Sequence, residues 1–148
     1  MTLASSELSI CYRNINELIP YARNARTHSK RQIRQIADSI SAFGFNSPVL
    51  LNEGNSILAG HGRIAAAKLL GMSEVPAIEL SSLSEDQIRA YILADNRLSE
   101  KAGWDASILA IELQHLLTVD LDFDLTCTGF EVPEIDLILQ TIWAPAVE

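Results

Sequence analysis

Residues 57–68 read Ile57-Leu58-Ala59-Gly60-His61-Gly62-Arg63-Ile64-Ala65-Ala66-Ala67-Lys68. This pattern predicts a short apolar strand, a turn flanked by glycines and an alanine-rich helix. The first backbone N–H groups of such a helix have no intrahelical partner and carry the positive end of the helix dipole. Gly60 and Gly62 allow an anion to approach this backbone, and Arg63 adds a fixed positive charge. The stretch favours a phosphate-binding turn, with an ordinary strand-to-helix turn as the alternative.

His61 stands between the two glycines of this turn. A histidine there can hydrogen-bond a phosphate oxygen or act as an acid or base near neutral pH, and the alternative is a solvated turn residue. The turn lacks the Lys-Ser/Thr pair of a P-loop and the third glycine of the dinucleotide fingerprint. A phosphate site at this turn would therefore be of another kind.

Charge is distributed unevenly along the chain, whose net charge is −8. Residues 1–70 carry 8 Lys or Arg and 4 Asp or Glu, whereas residues 71–148 carry 3 and 15. Five of the basic residues fall within twelve positions, and Arg26, beside Asn24 in a loop, is the one placed to bind phosphate with its planar guanidinium. An acidic chain avoids nonspecific contact with nucleic acid, so any direct DNA contact is expected to be local and weak.

A second polar cluster lies on a helix that Ser84 and Gln87 open as a capping box and that runs to about Lys101. Its apolar stripe places Asp95 on the same face, where a carboxylate is costly unless it is paired or binds a cation. Asp95 and Asn96 offer the oxygen ligands that Mg²⁺ accepts. An ion pair of Asp95 with a neighbouring cation is the alternative.

The order of predicted elements indicates an α/β (α+β) fold, a small mixed sheet with packed helices. Strands are expected at 8–13, 48–52, 56–59 and 75–80, with Pro76 at an edge or at a strand start. Ser29 caps the first helix, with Gln32 in the capping-box position. We expect a core over residues 1–83 and a helical extension over 84–148 packed on it. No membrane span or signal peptide is present in the sequence, so a cytoplasmic location is expected.

Four pieces of the sequence, in order, resemble one known family: the ParB/sulfiredoxin superfamily, and within it the ParB-like N-terminal domain, also called the ParB-like nuclease domain. They are Asn24-Ala25-Arg26, Ser47-Pro48-Val49, Gly60-His61-Gly62-Arg63-Ile64-Ala65-Ala66 and Ala94-Asp95-Asn96-Arg97. The resemblance is closest to the subgroup at the N-terminus of phage- and plasmid-type DNA methyltransferases. It extends through Ala102-Gly103-Trp104-Asp105 and Thr128-Gly129-Phe130-Glu131.

The resemblance implies a bound nucleoside triphosphate, CTP or ATP, with Mg²⁺. It places Gly60, His61, Gly62 and Arg63 on the phosphates, brings Arg26 to them from its loop, and sets Asp95 and Asn96 near the metal. Three residues depart from the family pattern and leave the base and hydrolysis open: Ala25 for proline, Gly62 for arginine and Asp95 for glutamate. His61 replaces the reactive cysteine of sulfiredoxins, so sulfiredoxin chemistry is not expected.

The functional hypothesis is a nucleotide-binding module, with slow NTP hydrolysis in question, that serves plasmid or phage partition or DNA modification. His61 and Asp95 are the candidate catalytic residues. One alternative is a metal-dependent DNA nuclease that uses Asp95, and another is a non-catalytic interaction module whose acidic helices bind a partner. Expected partners are the nucleotide, DNA indirectly or weakly, a methyltransferase or partition protein, and a second copy of the chain. The short acidic segment after the core is not expected to read DNA.

Overall fold

The computed structural model describes residues 7–24 and 26–143. Within that part of the chain, the strands are β1 (Ile10–Asn14), β2 (Val49–Leu51), β3 (Ile57–Ala59) and β4 (Glu74–Glu79). The α-helices are α1 (Lys30–Phe43), α2 (His61–Leu69), α3 (Glu85–Lys101), α4 (Ala106–Thr118) and α5 (Val132–Trp143). Short 3₁₀ turns cover Ile15–Glu17 and Leu125–Thr128.

The four strands form one mixed sheet in the order β1-β4-β2-β3. β4 pairs antiparallel with β1 and parallel with β2, and β2 pairs antiparallel with β3. β4 is therefore an inner strand, and the prediction of an edge position for Pro76 is wrong. Pro76 is tolerated because the pairing with β2 involves residues 77–79 only, so the residue without an N–H precedes that ladder.

The main hydrophobic core lies between one face of the sheet, the 3₁₀ turn Ile15–Glu17 and α2. Val49, Leu51, Val75 and Ala77 are fully buried on this face. The other members of the cluster are Ile15, Leu18, Ile57, Ile64 and Ala67. α2 packs against α1, and α3 packs against β3. The predicted α/β class with helices packed on a small mixed sheet is confirmed.

The chain divides into two compact units, residues 1–101 and 102–148. The boundary predicted from the sequence lies after residue 83, whereas the structure keeps α3 in the first unit. The reason is the packing of α3 against β3, which gives this helix neighbours in the sheet domain. An acidic, helical composition does not reveal such contacts, so the boundary drawn from sequence falls one helix too early.

The second unit has a small core of its own, formed by Leu113, Leu125 and Ile135. Asp105 caps α4 by accepting a hydrogen bond from the Ile108 N–H at 3.0 Å.

Among the described residues, no helix has both the length and the apolar character that crossing a membrane requires.

Candidate functional site

A cavity of about 130 Å³ lies where the β3–α2 turn faces the loop before α1 and one side of α3. Every site residue selected from the sequence lines it. These residues are Asn24, Arg26, Gly60, His61, Gly62, Arg63, Asp95 and Asn96. His28 and Ile36 also contribute to the lining. Residues up to 72 positions apart in the sequence thus meet at one place, while the ligands that they bind remain a prediction.

The floor of the cavity is the start of α2, which begins at Gly60 in the left-handed conformation with φ +106°. No side chain in the described part of the chain caps this helix start, so its first N–H groups are left for another acceptor. A Cβ on Gly60 would lie 2.6 Å from Val49 Cγ1, a buried core atom. Glycine is required here both for the backbone conformation and for close approach to the sheet.

Arg63 projects from the first turn of α2 and is partly buried. Its Nη2 donates to the Pro48 carbonyl oxygen at 3.1 Å, and its Nε is buried with no hydrogen-bond partner among the described residues. Burial lowers the pKa of Arg63, and the negative charge of Asp95 partly offsets that effect. The ion pairs of the described residues do not include Arg63. The guanidinium therefore stands beside the open helix start with unused hydrogen-bonding capacity.

The ring of His61 is held by the loop before α1. Its Nε2 accepts a hydrogen bond from the Tyr21 N–H at 3.2 Å, which leaves the proton of a neutral imidazole on Nδ1. Burial lowers the pKa of His61, and the nearby His28 lowers it further. His61 thus combines a structural hydrogen bond with one remaining donor at the cavity.

His28 is a lining residue that the sequence analysis left out of the predicted site. Its Nδ1 lies 3.0 Å from Gln32 Oε1, one turn into α1. A Cβ on Gly62 would lie 3.0 Å from His28 Cε1 and 3.1 Å from Ile36 Cδ1. Gly62 therefore lets α1 and the His28 ring pack directly on the first turn of α2. The signal in the sequence was only a histidine close to a helix start.

The loop before α1 contributes Asn24 and Arg26, and Ala25 between them lies outside the described residues. Asn24 Oδ1 accepts a hydrogen bond from the Arg26 N–H at 3.2 Å, which fixes the local turn. The exposed Arg26 side chain forms an ion pair with Glu100 on α3, and Arg97 donates to the same carboxylate at 3.0 Å. Hydrogen bonds from Arg97 and Arg26 lower the pKa of Glu100. The Arg26 side chain therefore lines the cavity while it forms an ion pair with Glu100.

α3 presents Asp95 and Asn96 to the opposite side of the cavity. The Asp95 side chain is exposed, and Ile92 is the one residue that α3 buries among its described residues, so the Asp95 carboxylate remains accessible to solvent. Asn96 Nδ2 donates to the Ile92 carbonyl oxygen at 2.8 Å, which leaves Asn96 Oδ1 as an acceptor. In residues 7–24 and 26–143, no group of three or more His, Cys, Asp or Glu side chains is placed to hold a metal ion.

Two family models match the chain. The ParB N-terminal domain model matches residues 3–97, and the ParB-methyltransferase HTH domain model matches residues 107–148. The first match covers the sheet and every residue of the cavity. The second covers the later part of the predicted helical extension, residues 84–148, which is not expected from the sequence to read DNA.

Two curated proteins are similar to the first part of the chain. The ParB-like nuclease domain-containing protein YnaK of Escherichia coli is 52% identical over 83 residues, which are 56% of this chain and 95% of YnaK. The probable chromosome 2-partitioning protein ParB of Deinococcus radiodurans is 34% identical over 86 residues, 55% of this chain and 29% of that longer protein.

Among solved structures, the C-terminally truncated chromosome-partitioning protein ParB of Caulobacter crescentus, complexed with CTP-gamma-S, has the same fold. The TM-score is 0.76 over 93% of this chain and 81% of that chain, at 18% identity. An identity this low carries information on the fold and not on the ligand.

Proposed function

This chain belongs to the ParB N-terminal domain family, and from that premise we propose that its first unit binds a nucleoside triphosphate together with Mg²⁺. The observation that carries the proposal is the pairing of an uncapped helix start with the partly buried Arg63, whose Nε has no partner among the described residues. A buried donor without an acceptor is costly, and an anion in the cavity supplies one. The phosphate end of a nucleotide fits this donor set.

The α2 N–H groups and Arg63 would hold phosphate oxygens in complementary ways. Backbone N–H groups at a helix start bind phosphate through hydrogen bonds and the helix dipole. A guanidinium adds a planar fork of donors that matches phosphate geometry. Arg26 would approach from the opposite loop, and the Nδ1–H of His61 would add a further donor.

Mg²⁺ would be held by Asp95 and Asn96 together with oxygens of the triphosphate. Mg²⁺ in nucleotide sites commonly takes one or two protein carboxylates plus substrate phosphates and water, rather than a cage built by protein alone. Asp95 supplies such a carboxylate, and Asn96 Oδ1 is not used as an acceptor in the hydrogen bond to Ile92. When bound, the ion would neutralise part of the phosphate charge beside the Asp95 carboxylate.

The size of the cavity suits the phosphates rather than a whole nucleotide. Its volume of about 130 Å³ is below the roughly 300–1,000 Å³ of pockets that bury drug-sized ligands. The base would therefore be recognised outside it. CTP is the first nucleotide to test, because the Caulobacter ParB of the same fold was solved with CTP-gamma-S. ATP is the alternative nucleotide. Whether the chain hydrolyses either of them is a separate question for experiment.

We further infer that the module serves a DNA-linked process, either partition or DNA modification. The match of residues 107–148 to the ParB-methyltransferase HTH domain supports a role near DNA. The excess of acidic residues after position 70 opposes strong contact with the phosphate backbone. DNA would be engaged weakly by this chain, or through a partner protein such as a methyltransferase or a partition protein.

The test is the thermal stability of the full chain with CTP, ATP, GTP or UTP, with and without Mg²⁺. A ligand at about a hundredfold excess over its Kd adds about 2.7 kcal/mol to stability, or roughly 5–10 °C in Tm for a chain of this size. We expect such a rise with one triphosphate plus Mg²⁺, and its loss in Arg63→Ala.

Arg34→Ala is the matched control, because it removes the same charge from an exposed site on α1 outside the cavity. Arg63→Lys keeps a positive charge but not the planar fork, and we expect it to bind more weakly than the native chain. Absence of a shift with all four triphosphates would contradict the proposal, as would an unchanged shift in Arg63→Ala.

A second candidate activity, metal-dependent DNA cleavage, is favoured by the name of the YnaK relative, a ParB-like nuclease domain-containing protein. Asp95 is the carboxylate of the cavity that could hold the required ion. Supercoiled plasmid incubated with the chain and Mg²⁺ distinguishes the two activities. Cleavage that disappears in Asp95→Asn would favour the nuclease, whereas intact plasmid alongside a triphosphate-dependent rise in Tm favours nucleotide binding.

A further inference from the structure

His28 occupies a special position beside the start of α2. It lines the cavity, and its Cε1 lies only 3.0 Å from the point where a Gly62 Cβ would stand. The ring therefore packs against the helix turn whose N–H groups are open. The imidazole of His28 and the start of α2 thus line the same cavity.

Gln32 determines which nitrogen of His28 is left for a ligand. The sequence Ser29-Lys30-Arg31-Gln32 is a capping box, and Ser29 Oγ does accept the Gln32 N–H at 3.1 Å. The Gln32 side chain, however, places Oε1 3.0 Å from His28 Nδ1. Because a carbonyl oxygen only accepts, Nδ1 carries a proton, and Nε2 is the remaining polar atom of the ring.

We propose that His28 is a phosphate-binding residue that takes up a proton when the ligand binds and donates from Nε2 to a phosphate oxygen. This inference rests on the proposed function, since it assigns one more ligand contact at the same cavity. With Nδ1–H held by Gln32, a neutral ring has only a lone pair at Nε2 and repels a phosphate oxygen. Protonation converts that lone pair into a donor and adds a charge of the right sign.

The charged and titratable groups around His28 support this division of roles. Arg26 from the loop, His61 and Arg63 from α2, and Asp95 from α3 line the same cavity. His61 keeps a neutral ring because its Nε2 accepts the Tyr21 N–H, and burial and His28 both lower its pKa. Of the two histidines, His28 is the one that can gain a proton without losing a hydrogen bond to the protein.

The test titrates the full chain with inorganic triphosphate plus Mg²⁺, which supplies the phosphates without a base. Imidazole ¹H–¹⁵N spectra should show His28 moving to imidazolium shifts on binding while His61 stays neutral. In His28→Gln, affinity should fall roughly tenfold at about pH 6 and little at about pH 8, because a charge-assisted hydrogen bond is lost only where the ring is protonated. His115→Gln, at an exposed histidine of α4, should match the native chain at both pH values.

Gln32→Glu provides a second variant that retains His28. A carboxylate facing Nδ1–H stabilises the imidazolium, so the pH at which affinity declines should move upward. An unmoved His28 resonance in the bound state, or equal affinities of the native chain and His28→Gln at both pH values, would overturn this inference alone. Failure of the native chain to bind triphosphate or any of the four nucleotides would overturn the proposed function and this inference together.

Discussion

Two helices of the first unit, α1 and α3, begin with the same capping-box sequence pattern. Their N-terminal residues nevertheless form different hydrogen bonds. At the start of α3, Ser84 Oγ accepts the Gln87 N–H at 3.2 Å, and Gln87 Oε1 accepts the Ser84 N–H at 2.8 Å. At the start of α1, the serine half of the box forms, but the Gln32 side chain turns to His28. The first box is complete within four residues, whereas the second connects its helix to the cavity.

The difference shows that the capping-box pattern predicts the hydrogen bonds of a helix start away from the cavity but not beside it. A capping box stabilises a helix by satisfying two backbone donors reciprocally, and α3 uses it fully. In α1, only one of the two capping-box hydrogen bonds forms, and the Gln32 side chain contacts the His28 ring at the cavity instead. The neighbouring helix α2 begins with no side-chain cap. Local patterns are expected to fail at functional sites, because the groups there are kept for a ligand.

The largest effect is expected from adding a side chain to the residue that precedes α2, in Gly60→Ala. An alanine at φ +106° is strained, and its Cβ would lie 2.6 Å from Val49 Cγ1. Backbone strain and overpacking each cost about 1–3 kcal/mol, so we expect a loss of roughly 3 kcal/mol, measured by chemical denaturation.

Gly103→Ala is the matched control, since no atom lies within 4 Å of a Cβ there. It should change the free energy of unfolding by less than about 0.5 kcal/mol. Equal stabilities of the two variants would show that the α2 start tolerates a side chain and would remove the structural basis of the open helix start.

A smaller and more specific effect separates the two glutamines. Gln87→Ala removes a hydrogen bond at an exposed helix start, so we expect a loss of about 0.5–1 kcal/mol in stability with triphosphate affinity unchanged. Gln32→Ala frees the His28 ring, so we expect several-fold weaker triphosphate binding at about pH 6. Denaturation and titration of the same two variants measure both quantities. The reverse assignment, with Gln87 affecting affinity, would contradict the comparison.

The smallest effect concerns the pH dependence of stability that the His61 ring causes. Burial lowers the pKa of His61 below its ordinary value, so the unfolded chain binds that proton at a higher pH than the folded chain. The contribution of His61 to stability is thus complete above about pH 6.5 and is lost as the pH falls below it. Denaturation between about pH 7.5 and 5 should show a shallower decline in His61→Gln than in the native chain. An identical decline would contradict this prediction, because it would mean that the folded and unfolded chains bind the His61 proton equally well.

Much of the site could be predicted from sequence because its parts are local. Gly60, His61, Gly62 and Arg63 fall in one turn, and the chemistry of a helix start follows from that turn alone. The capping box at α3 was likewise predicted, and the structure contains both of its hydrogen bonds.

The features that could not be predicted are of two kinds. Some are contacts between residues far apart in the sequence, and one is a side chain that has two possible hydrogen-bond partners. The ion pair of Arg26 with Glu100 joins residues 74 positions apart. The packing of α3 on β3, which moves the unit boundary to residue 101, is of the same kind. The role of Gln32 was missed because a four-residue pattern gives the glutamine one partner, while the fold places His28 Nδ1 beside it.

The central claim is that the first N–H groups of α2, together with Arg63, bind the phosphates of a nucleoside triphosphate. The most direct measurement is an amide ¹H–¹⁵N titration of the full chain with CTP and Mg²⁺, including the Arg63 Nε–H resonance. The account predicts that the largest shifts occur at His61, Gly62 and Arg63, with smaller ones at Arg26 and Asp95. Unperturbed resonances at residues 61–63, while signals elsewhere respond to the nucleotide, would contradict it.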